Sequence, residues 1–193
     1  MGVLQSLVLK NRSYRRFKED ENISSDFLKE LVSLASITPS GRNAQPLKYV
    51  LINTPETNLK VFNTLSWAAY LKGKGAPNEG ERPSAYIVIL LDKHISENPF
   101  CDHGIVAQTM LLGAVEKGYG GCMIMNIKKE ELSNILNLPE HFEILMVIAL
   151  GKPIEQVVLE TMPQDGNFQY WRDEQQVHHV PKRSVNELIL KIQ

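Results

Sequence analysis

The sequence predicts one domain that mixes α-helices with buried β-strands. Three observations carry this. The chain has 193 residues, enough for a single domain to bury its own core. Two runs, Ala85 to Leu91 (AYIVILL) and Ile144 to Leu150 (ILMVIAL), are continuously apolar, as in strands covered on both faces. Apolar residues also recur at helical spacing, most clearly Phe27, Leu28, Leu31, Val32 and Ala35.

Taken in order, residues 1 to 10 read as a short helix with Val3, Leu4, Leu7 and Val8 on one face. A polar, basic segment follows to Glu21. Ser24 or Ser25 is the expected N-cap of the next helix, with Asp26 in its first turn, where the helix dipole favours an anion. That helix should stop near Thr38, because Pro39 disfavours helical geometry before it. Pro39 to Pro46 is a loop by composition. Tyr49 to Ile52 reads as a strand. Residues 56 to 72 are weakly helical, and Gly73 to Pro83 is expected to be a flexible loop. Gly104 to Lys117 is apolar on most sides, as in a central buried helix, and Gly118 to Gly121 ends it. Cys122 to Met125 is a short strand candidate, and Glu130 to Asn137 a helix. The last forty residues carry Phe168, Tyr170 and Trp171 among charges, too little apolar density for a core of their own. They read as an arm that packs against something else, with Val185, Leu188, Ile189 and Ile192 in a terminal amphipathic turn or two.

Composition narrows the function classes. The formal net charge is −1, which gives no global attraction to nucleic acid or an anionic membrane. No stretch approaches the ~20 apolar residues that span a bilayer, and the first ten residues lack the pattern of a signal peptide. Cys101 and Cys122 form neither a disulfide framework nor a CxxC pair, so a reducing, cytoplasmic setting is expected. Cys101-Asp102-His103 holds metal-ligand types, but adjacent residues on extended chain point apart and chelate poorly. His178-His179 is an equally weak signal, and no metal site is expected.

Three short motifs carry possible chemistry. Lys10 to Lys18 (KNRSYRRFK) combines cations with hydroxyl donors, which suits a phosphate monoester; alone it is better explained by a solvated basic face or a nucleic-acid patch. Thr38 to Pro46 (TPSGRNAQP) offers amide and hydroxyl groups that can read the edge of a heteroaromatic ring; alone it is an ordinary helix-to-strand connection. Gly118 to Cys122 (GYGGC) lets backbone approach a flat ring closely, yet it is neither a dinucleotide fingerprint nor a P-loop.

In this order and at these separations, the motifs resemble the nitroreductase family of FMN enzymes. The matching residues are Arg12 to Phe17, Pro39-Ser40 with Asn43 to Pro46, Ala107-Gln108 leading to Gly118 to Cys122, and Gly151-Lys152-Pro153. The resemblance covers most of the chain. It implies an α+β fold with a central mixed, mainly antiparallel sheet flanked by helices, forming one domain over residues 1–193. It implies a homodimer with FMN at the interface, residues 160–193 being a C-terminal arm that crosses to the partner subunit. NADH or NADPH would supply electrons to the flavin, and a small acceptor such as a nitroaromatic or quinone would take them by a ping-pong mechanism. The alternative is a flavin-binding or flavin-processing protein on the same fold without reductase turnover. A basic interaction module with no flavin is a third reading.

Position by position, the resemblance implies that Arg12, Ser13 and Arg15 contact the flavin, with Arg15 near the pyrimidine side of the ring. Pro39, Ser40, Asn43 and Gln45 match the loop that reaches FMN from the partner. Met123 and Ile124 match the segment backing the ring, and Lys182 and Arg183 the C-terminal basic pair near the phosphate. The cofactor carries the chemistry, so no side chain is expected to be catalytic. Three positions depart from the pattern: Asn11 stands where many relatives carry Arg, Leu47 where Trp is common, and Met125 where Glu or Gly is frequent. Trp67, Tyr70 and the Gly73 to Pro83 loop are expected at the substrate mouth.

Overall fold

A computed structural model of the chain describes residues 1–71 and 75–193. Gly73, at the start of the expected flexible loop, lies outside the described residues. Helices α1 (Val3–Lys10) and α2 (Ser25–Ser36) precede strand β1 (Leu47–Ile52). Helix α3 (Pro55–Phe62) leads to β2 (Ala85–Asp92), α4 (Asp102–Glu116), β3 (Gly120–Ile124), α5 (Lys129–Ile135) and β4 (Phe142–Gly151). The chain ends in β5 (Val157–Thr161), β6 (Trp171–Arg172), β7 (His178–Lys182) and α6 (Val185–Leu188).

The central sheet has the order β1-β2-β4-β3, every neighbouring pair antiparallel. Strand β2 is buried along its whole length, which is why it reads as an uninterrupted apolar run. Its residues alternate between two cores. Ala85, Ile87 and Ile89 face Leu28 and Leu31 of α2 and Val106, Met110 and Leu111 of α4. Tyr86, Val88 and Leu90 face Val61 and Leu132, from α3 and α5, on the other side. Burying each such aliphatic side chain contributes about 1.5–3 kcal/mol. A bulge opposite Ile89/Leu90 shifts the β4 partner from Met146 to Ile144, so that Ile144 joins the Leu90 face. Ser24 caps α2, its hydroxyl accepting the Phe27 N–H at 3.1 Å.

The antiparallel sheet flanked by helices is the architecture that the resemblance implies. The C-terminal segment differs from its local reading. It forms a second sheet of order β5-β7-β6, with β5 and β7 parallel and β6 antiparallel to β7. Among residues 152–193 only His178 is buried, so low apolar density and strand pairing coexist. Helix α1 buries nothing either: Val3 is 78 % and Leu4 66 % exposed.

Candidate functional site

The basic segment is not a solvated face. Phe17 is fully buried and bridges to Pro153, and the Lys18 N–H donates to the Lys152 carbonyl at 2.8 Å. Ser13 bridges in parallel to Gly121 of β3, with the Tyr14 N–H donating to the Gly121 carbonyl at 3.0 Å. A Cβ at Gly120 would lie 2.6 Å from the Tyr14 ring, so glycine allows this approach, while one at Gly121 would lie 2.1 Å from the Ala149 carbonyl oxygen of β4. The matching motifs, distant in sequence, therefore meet on one edge of the sheet.

Glu155 fastens this segment from the other side. One carboxylate oxygen accepts the backbone N–H groups of Arg15 and Arg16, and the other accepts Arg172 Nη2 at 2.6 Å. The Glu155 and Arg172 side chains are only 2 % and 8 % exposed. Burial lowers Arg172 from its ordinary value, and the Glu155 charge works against that.

Between the segment and the second sheet lies a hollow lined by Arg12, Ser13, Arg15, Tyr170, His178 and Lys182, with Asn11, Val157 and Val180 completing it and no carboxylate on its wall. Arg15 lies over the Tyr170 ring, 5.0 Å from its centroid, and its Nη1 is 3.3 Å from His178 Nε2. A guanidinium can only donate, so Nε2 accepts and Nδ1 carries the proton. That buried Nδ1–H has no partner among the described residues, and neither has Arg12 Nε. Burial, with the charges of Arg15, Arg172 and His179, lowers His178 from the usual 6.5 to about 4, so it is neutral here. Arg12 Nη2 also donates to the Val8 carbonyl at the end of α1, at 2.6 Å.

Pro39, Ser40 and Gln45 line a different hollow with Tyr49, Asp102 and Val106. Ser40 Oγ donates to Asp102 at 2.6 Å and accepts the Gln45 N–H at 2.9 Å; the Gly41 N–H donates to the other Asp102 oxygen at 2.8 Å. Arg42, Asn43 and Gln45 all have positive φ, 51° to 55°. Three non-glycine residues in the left-handed region within four positions store strain that Asp102 helps to hold. Asn43 and Gln45 are exposed and bond to each other, leaving their remaining polar edges outward.

Of the other expected residues, Met123 is half-buried and Ile124 buried on β3, one strand turn from Gly121. Arg183 does not line the hollow and pairs with Glu187 at 3.5 Å. Asn11 Nδ2 donates to Gln108 Oε1 at 3.4 Å, tying the segment to α4. Tyr70 meets Tyr170 and Phe168 edge-on, whereas Trp67 packs on Phe62 in the second core. Glu155 has no signal in the sequence, and Asp102 and His178, weighed there only as metal ligands, take other roles. The alternation of β7 is the one signal available for His178: it turns inward while His179 turns outward to Glu160 and Asp173.

Comparison with known proteins gives this geometry its class. Residues 8–152 match the model of the Nitroreductase family, and the chain belongs to that family. A protein of Archaeoglobus fulgidus, named as a candidate NADH dehydrogenase/NAD(P)H nitroreductase, is 26% identical over 158 residues, covering 78% of this chain and 85% of its own. A candidate NAD(P)H nitroreductase of Bacillus subtilis, MhqN, is 23% identical over 184 residues, covering 79% and 89%. The fold is shared with the nitroreductase family protein of Streptococcus pneumoniae: TM-score 0.69, 16% identity, 98% of this chain and 100% of that one. It is also shared with a nitroreductase-like protein of Exiguobacterium sibiricum solved in complex with FMN, at TM-score 0.67 and 16% identity, covering 80% and 90%.

Proposed function

We propose that the chain is an FMN-dependent oxidoreductase that passes electrons from NADH or NADPH to a small acceptor, such as a nitroaromatic or quinone, in two successive half-reactions at one pocket. The observation that carries this reading is the hollow between Arg12, Ser13, Arg15, His178 and Lys182. It presents three cations, a hydroxyl and a buried N–H without a partner among the described residues, and no carboxylate. Arg12, Ser13 and Lys182 suit the phosphate end of FMN and Arg15 the adjoining ring, because charge-assisted bonds to a dianion are about twice as strong as neutral ones. The relatives named for NADH or NAD(P)H and the FMN complex of the Exiguobacterium protein point the same way.

When bound, FMN supplies two-electron transfer between donor and acceptor. The chain's own residues bind and orient it. Arg12, Ser13 and Lys182 neutralise the phosphate. Arg15, held by His178, Tyr170 and Glu155, sets a positive charge near the ring, which favours the electron-rich reduced form. The Met123–Ile124 stretch of β3 backs the ring, Ile124 through its backbone because its side chain is buried in the second core. Pro39, Ser40, Asn43 and Gln45 serve the flavin of a partner subunit, so the enzyme acts as a homodimer. Support for a dimer comes from the uncovered apolar surface of α1 and of the C-terminus, where Leu188 is 68 % and Ile192 84 % exposed.

Equilibrium titration with FMN and riboflavin tests the assignment. The native chain binds FMN more tightly. Arg12→Ala weakens FMN by about 10- to 100-fold, the loss of one charged hydrogen bond, and leaves riboflavin nearly unchanged. Arg15→Ala lowers the flavin's reduction potential instead. Equal affinity and potential in both variants would reject the segment, and no uptake of FMN by the native chain would reject the function.

A further inference from the structure

The sheet's far end holds a second constellation, unconnected with the flavin hollow. Asp92 closes β2, His94 lies two residues beyond it, and His141 directly precedes β4. Antiparallel pairing of Asp92 with Phe142 brings the two histidines together although 46 residues separate them in sequence. The imidazoles stack with centroids 4.1 Å apart and planes 7° from parallel. One ligand atom from each of the three side chains lies within 4.8 Å of the others.

Asp92 is the informative member. It is only 8 % exposed, yet its carboxylate accepts a single hydrogen bond, from the His94 N–H at 3.1 Å, and forms no ion pair among the described residues. A carboxylate has about four acceptor positions, so Asp92, with one protein hydrogen bond, keeps lone pairs free for a cation. Its backbone is fixed as well, the Asp92 N–H donating to the Pro46 carbonyl at 2.9 Å and the Lys93 N–H to the His141 carbonyl at 3.0 Å. The carboxylate is thus held in place with lone pairs to spare, beside two imidazoles on the surface side.

We propose that Asp92, His94 and His141 bind a divalent transition-metal ion, with zinc the best match. Two imidazole nitrogens and a carboxylate oxygen are a borderline ligand set that suits zinc and disfavours magnesium or calcium, which take oxygen ligands. Ligands of a tetrahedral zinc lie about 3.4 Å apart at bond lengths of about 2.1 Å. Closing the trio to that spacing takes a side-chain rotation of His94, which is exposed, and of His141, which is half-buried; Asp92 stays where it is. Solvent completes the coordination. The bound ion cross-links the turn after β2 to the turn before β4, directly behind the base of the Pro39–Pro46 loop.

The test uses the full-length chain without an affinity tag, stripped with chelator and titrated with zinc chloride by calorimetry, with bound zinc measured by elemental analysis after desalting. One zinc per chain is expected, with a rise in thermal midpoint. His94→Ala and His141→Ala, both outside the core, should fold normally by circular dichroism and each weaken zinc on the order of 100-fold. Asp92→Asn should do the same, and the histidine variants decide the matter if it fails to fold. No zinc retained by the native chain, or unchanged affinity in the His94→Ala/His141→Ala double variant, overturns the site. FMN binding measured in parallel is unaffected by the histidine variants, so this site and the flavin reading stand or fall separately.

Discussion

Removing Glu155 should destabilise the protein more than removing its arginine partner. Glu155→Ala leaves three buried donors without an acceptor: the N–H groups of Arg15 and Arg16 and the guanidinium of Arg172. Breaking a buried ion pair from one side costs about 3–5 kcal/mol. The unfolding entropy of about 2.1 cal/mol/K per residue gives roughly 0.4 kcal/mol/K for a chain of this length, so the thermal midpoint should drop by about 7–12 °C. Arg172→Met leaves the carboxylate with two backbone donors, and should cost only the lost charged hydrogen bond, about 1.5–3 kcal/mol. Differential scanning calorimetry of the FMN-free protein measures both. Glu155→Ala should also weaken FMN, because Arg15 loses the anchor of its backbone. A Glu155→Ala midpoint within about 2 °C of native, or a larger loss in Arg172→Met, would refute the assignment of Glu155 as the clasp of the basic segment.

Other consequences are as direct. His178 binds its proton near pH 6.5 when unfolded and only near pH 4 when folded, so the unfolded chain holds more protons between these values and stability falls as the pH drops through that window. His178→Asn should flatten that part of the midpoint-against-pH curve. His179 has the opposite sign: Asp173 and Glu160 raise it, so its contribution is present at low pH and lost as the pH rises through its folded value, a trend His179→Gln should remove. Gly121→Ala should cost about 3 kcal/mol or abolish folding, since the added methyl meets the Ala149 carbonyl; urea denaturation measures it. Asp102→Ala should cost about 3 kcal/mol and speed hydrogen exchange at the Gly41 amide, because two hydrogen bonds to a buried carboxylate are lost.

What the sequence makes legible is what local pattern encodes. The uninterrupted run of β2, the stripe of α2 and the Ser24 cap each follow from a periodicity or a side chain acting on its own backbone, and each stands as read within a residue or two. The second sheet does not, because β5 and β7 pair in parallel across some twenty residues and β6 is two residues long, too short to show alternation. The same limit hid the clasp. Glu155 acts on Arg15 and Arg16 from 140 residues away, a contact that only the fold creates. His178-His179, read as one pair, splits because neighbours on a strand face opposite sides, while His94 and His141, remote in sequence, come together. The flavin motifs were legible only jointly: each is bland alone, and the meeting of Ser13 with Gly121 and of Phe17 with Pro153 gives their order a physical meaning.

Electron transfer through bound flavin can be watched in a single titration. The purified protein, loaded with FMN and freed of oxygen, is titrated with NADH and separately with NADPH while the flavin absorbance is followed. At least one of them should bleach the oxidised flavin band with one equivalent per site, and adding a quinone or nitroaromatic should restore it. Flavin that stays oxidised with both nucleotides would rule out reductase turnover and favour a protein that binds flavin without turning it over.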